Sequence, residues 1–272
     1  IRDNRSGNGI GIDGTGGGVH FNASTMTIEN STISGNAAKG YGGGIRNQST
    51  SNSVTLIHCT ITDNIGDADN DDSAAGGGIM WRSGTGAGFN VKNTIITGNV
   101  DQGYASVSDC YGEADYYTSQ GYNLVGSGTG CPSGGTGDQT TGDAKLGPLQ
   151  DNGGSTATHA PAYDSPAVEV IPNGTNGCGT DYTTDQRGEV RPGGGLCDVG
   201  AYESPYIFWD ADFTYDGYVT IAGNWSGDTP PAVTDVPVFS YSGQSAYVNA
   251  DFTVAGWIID SAYTDYIDLY PS

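Results

Sequence analysis

Four aspartates in one short stretch, Asp67, Asp69, Asp71 and Asp72, offer the carboxylate oxygens that a hard cation such as Ca²⁺ takes. They are the candidate metal ligands of the chain, although no calcium-loop spacing is met and a solvated acidic insertion is the simpler account of them. Asp210, Asp212, Asp216 and Gly217 make a second acidic stretch, and its spacing fails the EF-hand pattern. Basic groups are scarce, with 9 Lys and Arg against 31 Asp and Glu and only 3 His. Asp185-Gln-Arg187 reads as a charged, hydrogen-bonded corner rather than a catalytic one. Five cysteines point to two disulfides and one thiol left over. Cys110 with Cys131 and Cys178 with Cys197 is the simplest pairing, each loop of about 20 residues contributing about 3 kcal/mol. The sequence leaves the connectivity open. Disulfides imply an oxidising compartment, and hence an extracellular or cell-surface location. Cys59, with no basic neighbour, reads as a buried and inert free thiol.

The elements that position these residues are repeated. Met26–Asn36, Val54–Asn64 and Phe89–Asn99 align on their last residue. Ile28, Leu56 and Val91 then match, as do Ser31, Cys59 and Thr94, and Ile33, Ile61 and Ile96. A Gly-Gly-Gly-aliphatic motif begins at Gly16, Gly42 and Gly76, between the copies. The asparagines stand 28 and 35 residues apart, a period that means a solenoid, propeller or array. Each copy is short, β-branched and nearly alternating, which predicts strands, and the glycine triplets predict turns. A coil of short strands cannot bury its apolar face alone, so coils stack in parallel at roughly 4.8 Å. A propeller blade would need four strands per unit. The expected fold is all-β, a parallel β-helix (solenoid) with a C-terminal strand-rich extension. Asn36, Asn64 and Asn99 would stack as an amide ladder. His58 falls level with Asn30 and Asn93 and reads as a stacked turn residue.

The net charge of −22 argues against nucleic acid and anionic membranes as partners. No apolar run approaches the 18 residues of a membrane span. The chain opens at Ile1 without a leader, so any signal peptide is expected to have been removed or never included. Ile1-Arg-Asp-Asn4 repeats the Ile33–Asn36 spacing and reads as the end of a coil; these four residues are the candidate assembly strand.

Three regions follow: residues 1–100 with regular coils, 101–203 as a closing section with disulfide-bearing loops, and 204–272 as a C-terminal strand segment. The closing section carries Gly121-Tyr-Asn-Leu124, Leu146-Gly-Pro-Leu-Gln-Asp-Asn-Gly-Gly154, Thr158-His-Ala160, Ser165-Pro-Ala-Val168, Thr184-Asp-Gln-Arg-Gly188, Arg191-Pro192 and Cys197-Asp-Val-Gly-Ala-Tyr-Glu203. Together with the Gly-Gly-Gly coils, this series resembles bacterial surface proteins of the choice-of-anchor Q domain type. The resemblance covers about residues 1–203 and implies a right-handed parallel β-helix, export and surface attachment. Asn224-Trp-Ser-Gly-Asp-Thr-Pro230 and Asp235-Val-Pro-Val-Phe239 resemble the opening of strand-rich NWSGD-type repeats in other exported bacterial proteins. The alternation over Tyr247–Asp260 and Tyr266–Tyr270 predicts two or three further strands.

Many β-helices cleave acidic polysaccharides, so the site must decide. A lyase needs Arg or Lys beside bound Ca²⁺, and a hydrolase needs paired carboxylates at set separations on one face. The aspartates of the coils lie mainly in loops and turns, and a −22 surface repels polyanions. No catalytic residue is therefore assigned, and Ca²⁺ is the one cofactor the residues suggest. The expected function is a non-enzymatic extracellular subunit whose copies stack head to tail into a fibre. The alternatives are a surface adhesin that binds glycans and, after it, a polysaccharide lyase or hydrolase.

Overall fold

The computed structural model describes residues 1–7, 14–22, 25–49, 51–71, 76–81, 88–103, 106–193, 195–210, 219, 222–228, 230–240, 245–248, 253–265 and 267–269. Among them the protein is all-β, with parallel sheets and only short 3₁₀ turns. The chain divides into two compact units. One holds residues 1–167, 185–188 and 199–202; the other holds 168–184, 189–198 and 203–272.

In the first unit the chain visits three sheets in rotation. The first stacks Val19–Phe21, Ile45–Asn47, Ile79–Trp81, Cys110–Tyr111 and Gly128–Thr129, all parallel. The second begins with two nine-residue strands, Met26–Ser34 on Val54–Thr62. It continues through Phe89–Lys92 with Ile95–Ile96, then Tyr117–Ser119 with Leu124–Val125, then Gln139–Thr140. The third stacks Arg5–Ser6, Ala37–Ala38, Ile65–Gly66 and Val100–Asp101, and ends on antiparallel Ser106–Val107. Apart from antiparallel Ser106–Val107, the strands thus pair with their counterparts in the neighbouring layer, and like residues fall in columns.

Those columns are the core. Ile33, Ile61 and Ile96 are in register and fully buried, and Val125 continues the line. Ile45, Ile79 and Cys110 form a second line, and Val54, Phe89 and Tyr117 a third. Each fully buried aliphatic contributes about 1.5–3 kcal/mol of transfer free energy, an upper estimate.

The glycine triplets follow from the spacing of the stack. Gly16, Gly42 and Gly76 take φ of +64°, +70° and +83°, which disfavours a side chain. The middle glycines lie on the backbone one layer away: a Cβ on Gly43 would sit 2.5 Å from the Gly77 carbonyl oxygen. Each third glycine faces a ladder amide, with a Cβ on Gly78 falling 2.8 Å from Asn99 Nδ2.

The second unit joins Ile171–Pro172 to Leu196–Cys197 in an antiparallel pair. Its remaining sheets are parallel: Tyr206–Phe208, Val236–Phe239 and Ile258–Ile259 in one, Ala246–Val248 and Ile267–Leu269 in the other. Trp209, Trp225 and Phe239 pack at centroid distances of 5.0–5.8 Å over Ile207, Val219 and Ala246. The buried Trp225 indole donates to the Val219 carbonyl at 2.9 Å, as an interior ring N–H should. No helix among the described residues is long and apolar enough to cross a membrane.

Candidate functional site

The amide ladder is continuous and has a direction. Asn36 Nδ2 donates to Asn64 Oδ1 at 2.9 Å, and Asn64 Nδ2 to Asn99 Oδ1 at 2.9 Å. The backbone N–H of each donor residue reaches the same oxygen at 3.1 Å. Two further rungs lie outside the three that the repeats expose. Asn4 donates to Asn36 Oδ1 through both its N–H and its Nδ2, and Asn99 donates both to Asp109 Oδ1. Asp109 is the terminal acceptor, and burial raises its carboxyl pKa against the N–H groups it accepts. The spacing of Ile1 to Asn4 could have revealed the first rung. Asp109 has no repeat around it to mark it.

Ile1–Asn4 lie along Thr32–Asn36 of the same chain. Ser34 N–H donates to the Ile1 carbonyl at 3.1 Å, and Asp3 N–H to the Ser34 carbonyl at 3.3 Å. Arg2 pairs with Ser34 in register, and Asn4 is exposed.

A second column runs along the second sheet. Asn30, His58, Asn93 and Tyr122 occupy equivalent places, all with φ between 42° and 53°. The kink lets the next side chain reach back to the carbonyl two residues earlier. Ser31 donates to Glu29, Cys59 to Ile57 and Thr94 to Lys92. His58 is fully buried with Nε2 2.8 Å from Asn93 Nδ2. Cys59 is a buried free thiol whose pKa burial pushes up to about 12, so it holds its proton and is a poor nucleophile.

Asp67, Asp69 and Asp71 bring carboxylate oxygens within 4.8 Å of one another, and Asp67 is buried. Lys39 Nζ already stands 3.5 Å from Asp69. Three carboxylates fit Ca²⁺ in part, since it takes about 6–8 oxygens. Asp72 and the stretch Asp212, Asp216 and Gly217 lie outside the described residues.

The closing motifs of the first unit meet on the second sheet. Ala201 N–H donates to Thr60 Oγ1 at 3.0 Å, and Thr32 Oγ1 donates to Gln186 Oε1 at 2.7 Å. Arg187 binds Asp185 through Nε at 2.9 Å and its NH2 at 2.8 Å, with its guanidinium 3.6 Å over the Tyr202 ring. His159 Nδ1 lies 2.7 Å from the Gly147 carbonyl, which can only accept, so this nitrogen carries the proton. Nε2 then accepts from Ser34 Oγ at 2.9 Å. That is the hydrogen bonding of a base and a nucleophile, but Ser34 is only 1% exposed and His159 3%. The pair anchors the 147–160 segment to the strand.

The second unit holds the densest charge. Glu169, Asp198 and Glu203 bring carboxyl oxygens within 4.8 Å of one another, and Arg191 is buried beside Glu203. Arg191 NH1 meets Glu203 Oε2 at 2.9 Å and donates to the Asp198 carbonyl at 2.8 Å. Asp198 accepts Glu169 N–H at 2.7 Å and Ser204 N–H at 2.6 Å. Glu203 accepts the N–H of Gly193 and of Asp198. Glu169 Oε2 accepts from Ser226 at 2.9 Å, while its Oε1 has no hydrogen bond. Burial is the main cause that raises all three pKa values, Glu169 to about 9 and Asp198 to about 6, with Glu203 well above its ordinary value. Arg191, Asp198 and Glu203 lie within the motifs read from the sequence, but nothing there signals that they meet.

Cys110 is bonded to Cys131 in the first unit and Cys178 to Cys197 in the second. Comparison with known proteins returns no match: no family model fits the chain, and no curated protein or solved structure is significantly similar to it.

Proposed function

We propose that the chain is a non-enzymatic structural protein of the cell exterior, a right-handed parallel β-helix whose copies stack head to tail into a fibre. The choice-of-anchor Q resemblance supports the handedness and the surface location, and the two disulfides support an oxidising compartment. One observation carries the stacking. Within the chain, one layer is held on the next by parallel backbone pairing and by an amide ladder that runs in one direction, and the same pairing would join a coil of one copy to a coil of the next. A parallel edge strand is a template for another coil. A heterologous contact of this kind propagates into a filament when its rotation does not close. Ile1–Asn4 is bonded in cis along Thr32–Asn36, and the proposed contact is edge on edge.

The sealed Ser34–His159 pair and the inert Cys59 weigh against nucleophilic chemistry. No cofactor is assigned, since Ca²⁺ at Asp67–Asp71 would first have to displace Lys39 from Asp69. Negative-stain electron microscopy beside a size measurement across dilution tests the reading. Uniform rods that lengthen with concentration are expected. Monodisperse short particles at every concentration would overturn it.

A further inference from the structure

We infer that the first unit carries a pocket for an amino sugar, between the Thr62–Asp63 and Thr97–Gly98 turns and the 142–148 segment. The cavity measures about 250 Å³, below the roughly 300–1,000 Å³ of ligand clefts, so it takes one ring rather than a chain. All of its lining residues belong to the first unit. The two layers it spans lie inside the stack, with Met26–Ser34 on one side and Leu124–Val125 on the other.

Two buried hydroxyls point to a ligand. Thr62 and Thr97 line the cavity and are 5% and 4% exposed, yet neither hydroxyl has a hydrogen-bond partner among the described residues. Buried hydroxyls are normally satisfied. Gly98 leaves the way to Thr62 open, since a Cβ there would fall 3.1 Å from Thr62 Oγ1. A threonine hydroxyl both donates and accepts, which suits the ring hydroxyls of a sugar. Leu146 and Pro148 supply an apolar strip for the C–H face of the ring, which a bare metal ion would leave unused.

The charges select the amine. Asp63 and Asp143 line the cavity, and no Lys or Arg does. Asp63 Oδ2 stands 3.9 Å from His159 Nε2, too far for a hydrogen bond. Asp143 accepts the Lys145 N–H through Oδ1 at 2.7 Å, which leaves Oδ2 for a ligand. His159 adds no charge, because its proton is on Nδ1 and Nε2 accepts from Ser34. The base nearest in sequence, Lys145, is paired with Asp164. An ammonium group that reaches these carboxylates gains charge-assisted hydrogen bonds. The net charge of −22 draws cations toward the same surface.

The test is calorimetric titration of the intact chain at about pH 7, dilute enough to be unassembled, with glucosamine, N-acetylglucosamine, glucose and pentylamine. Glucosamine should bind in the millimolar range. Each of the others lacks either the charge or the hydroxyls and should bind at least about fivefold more weakly. Asp63→Asn combined with Asp143→Asn should weaken glucosamine about tenfold. Asn tolerates the φ of 57° at position 63 and keeps the Oδ1 acceptor at position 143, so the double variant should fold. Thr97→Val removes a hydroxyl that no described group uses, so it should weaken glucosamine about fivefold without lowering the melting temperature. Three results would each overturn the site. They are no glucosamine bound at about 10 mM, pentylamine or a neutral sugar bound as tightly as glucosamine, and glucosamine binding unchanged in the folded double variant, which would make it an effect of overall charge. Stacking plays no part in this measurement, so either reading can fail without the other.

Discussion

The two units bury polar groups by opposite means. In the first, the interior polar atoms along the ladder are neutral amides, each accepting from the layer before and donating to the layer after, until Asp109 ends the run. In the second, three carboxyl groups lie together, and Glu203 among them is paired with the Arg191 guanidinium. An amide is donor and acceptor at once, so a periodic stack of amides satisfies itself without charge. Carboxylates only accept when ionised, so the knot must import donors from Arg191, Ser226 and backbone N–H groups, and it holds protons when these run short. The comparison teaches that repetition allows neutral satisfaction, while a single-copy junction needs charge and becomes sensitive to pH.

The sharpest way to break the comparison is Arg191→Ala. It removes the guanidinium that pairs with buried Glu203, and breaking a buried pair of this kind costs about 3–5 kcal/mol. Hydrogen exchange read peptide by peptide should show 168–184 and 189–198 losing protection while 26–66 keeps it. Equal loss in both would mean that the units share one cooperative transition.

A smaller effect of the same sign is expected from pH alone. Folded Glu169 and Asp198 have raised pKa values, so the folded state binds more protons than the unfolded one between the ordinary carboxyl values and about 9 and about 6, respectively. Their contribution is complete below about pH 4 and is lost as pH rises through those windows. Protection of the second unit should therefore fall from pH 5 to pH 9, the reverse of ordinary acid denaturation. A second unit most stable at pH 8–9 would refute the proton-holding reading.

Legibility in the sequence followed the same division. The columns Ile33–Ile61–Ile96 and Asn36–Asn64–Asn99 were readable because repetition makes register visible. Ser31, Cys59 and Thr94 differ in type yet share one hydrogen bond, and their common position was readable too. Asn30, His58 and Asn93 were seen as a column, but their positive φ was not, because two different side-chain types, Asn and His, satisfy that kink. Asp109 and the Glu169–Arg191–Asp198–Glu203 knot occur once. Their partners are 5 to 57 residues away, and no period announces them. Asp67, Asp69 and Asp71 were readable as a cluster, while Lys39, from an earlier coil, was not.

The finest test converts the first unit's chemistry into that of the second. Asn64→Asp is nearly isosteric, and when protonated the new carboxyl can accept from Asn36 and donate one hydrogen, as the amide did. Only one donor is then missing, from the two bonds that Asn64 Nδ2 makes to the Ile33 and Thr62 carbonyls and the one it makes to Asn99. The expected cost at pH 4 is about 1 kcal/mol. Ionisation at that buried place is opposed, so the folded pKa rises above the unfolded value and stability falls as pH climbs past it. Residues 26–66 of this variant should therefore gain a pH dependence of the kind expected of 168–198, reaching a loss of about 3 kcal/mol by pH 8. Asn64→Ala, which adds no charge, should cost about 1–3 kcal/mol with the same value at both pH values. If the two substitutions behave alike across pH, the rung is wet, and neutrality is not what the ladder provides.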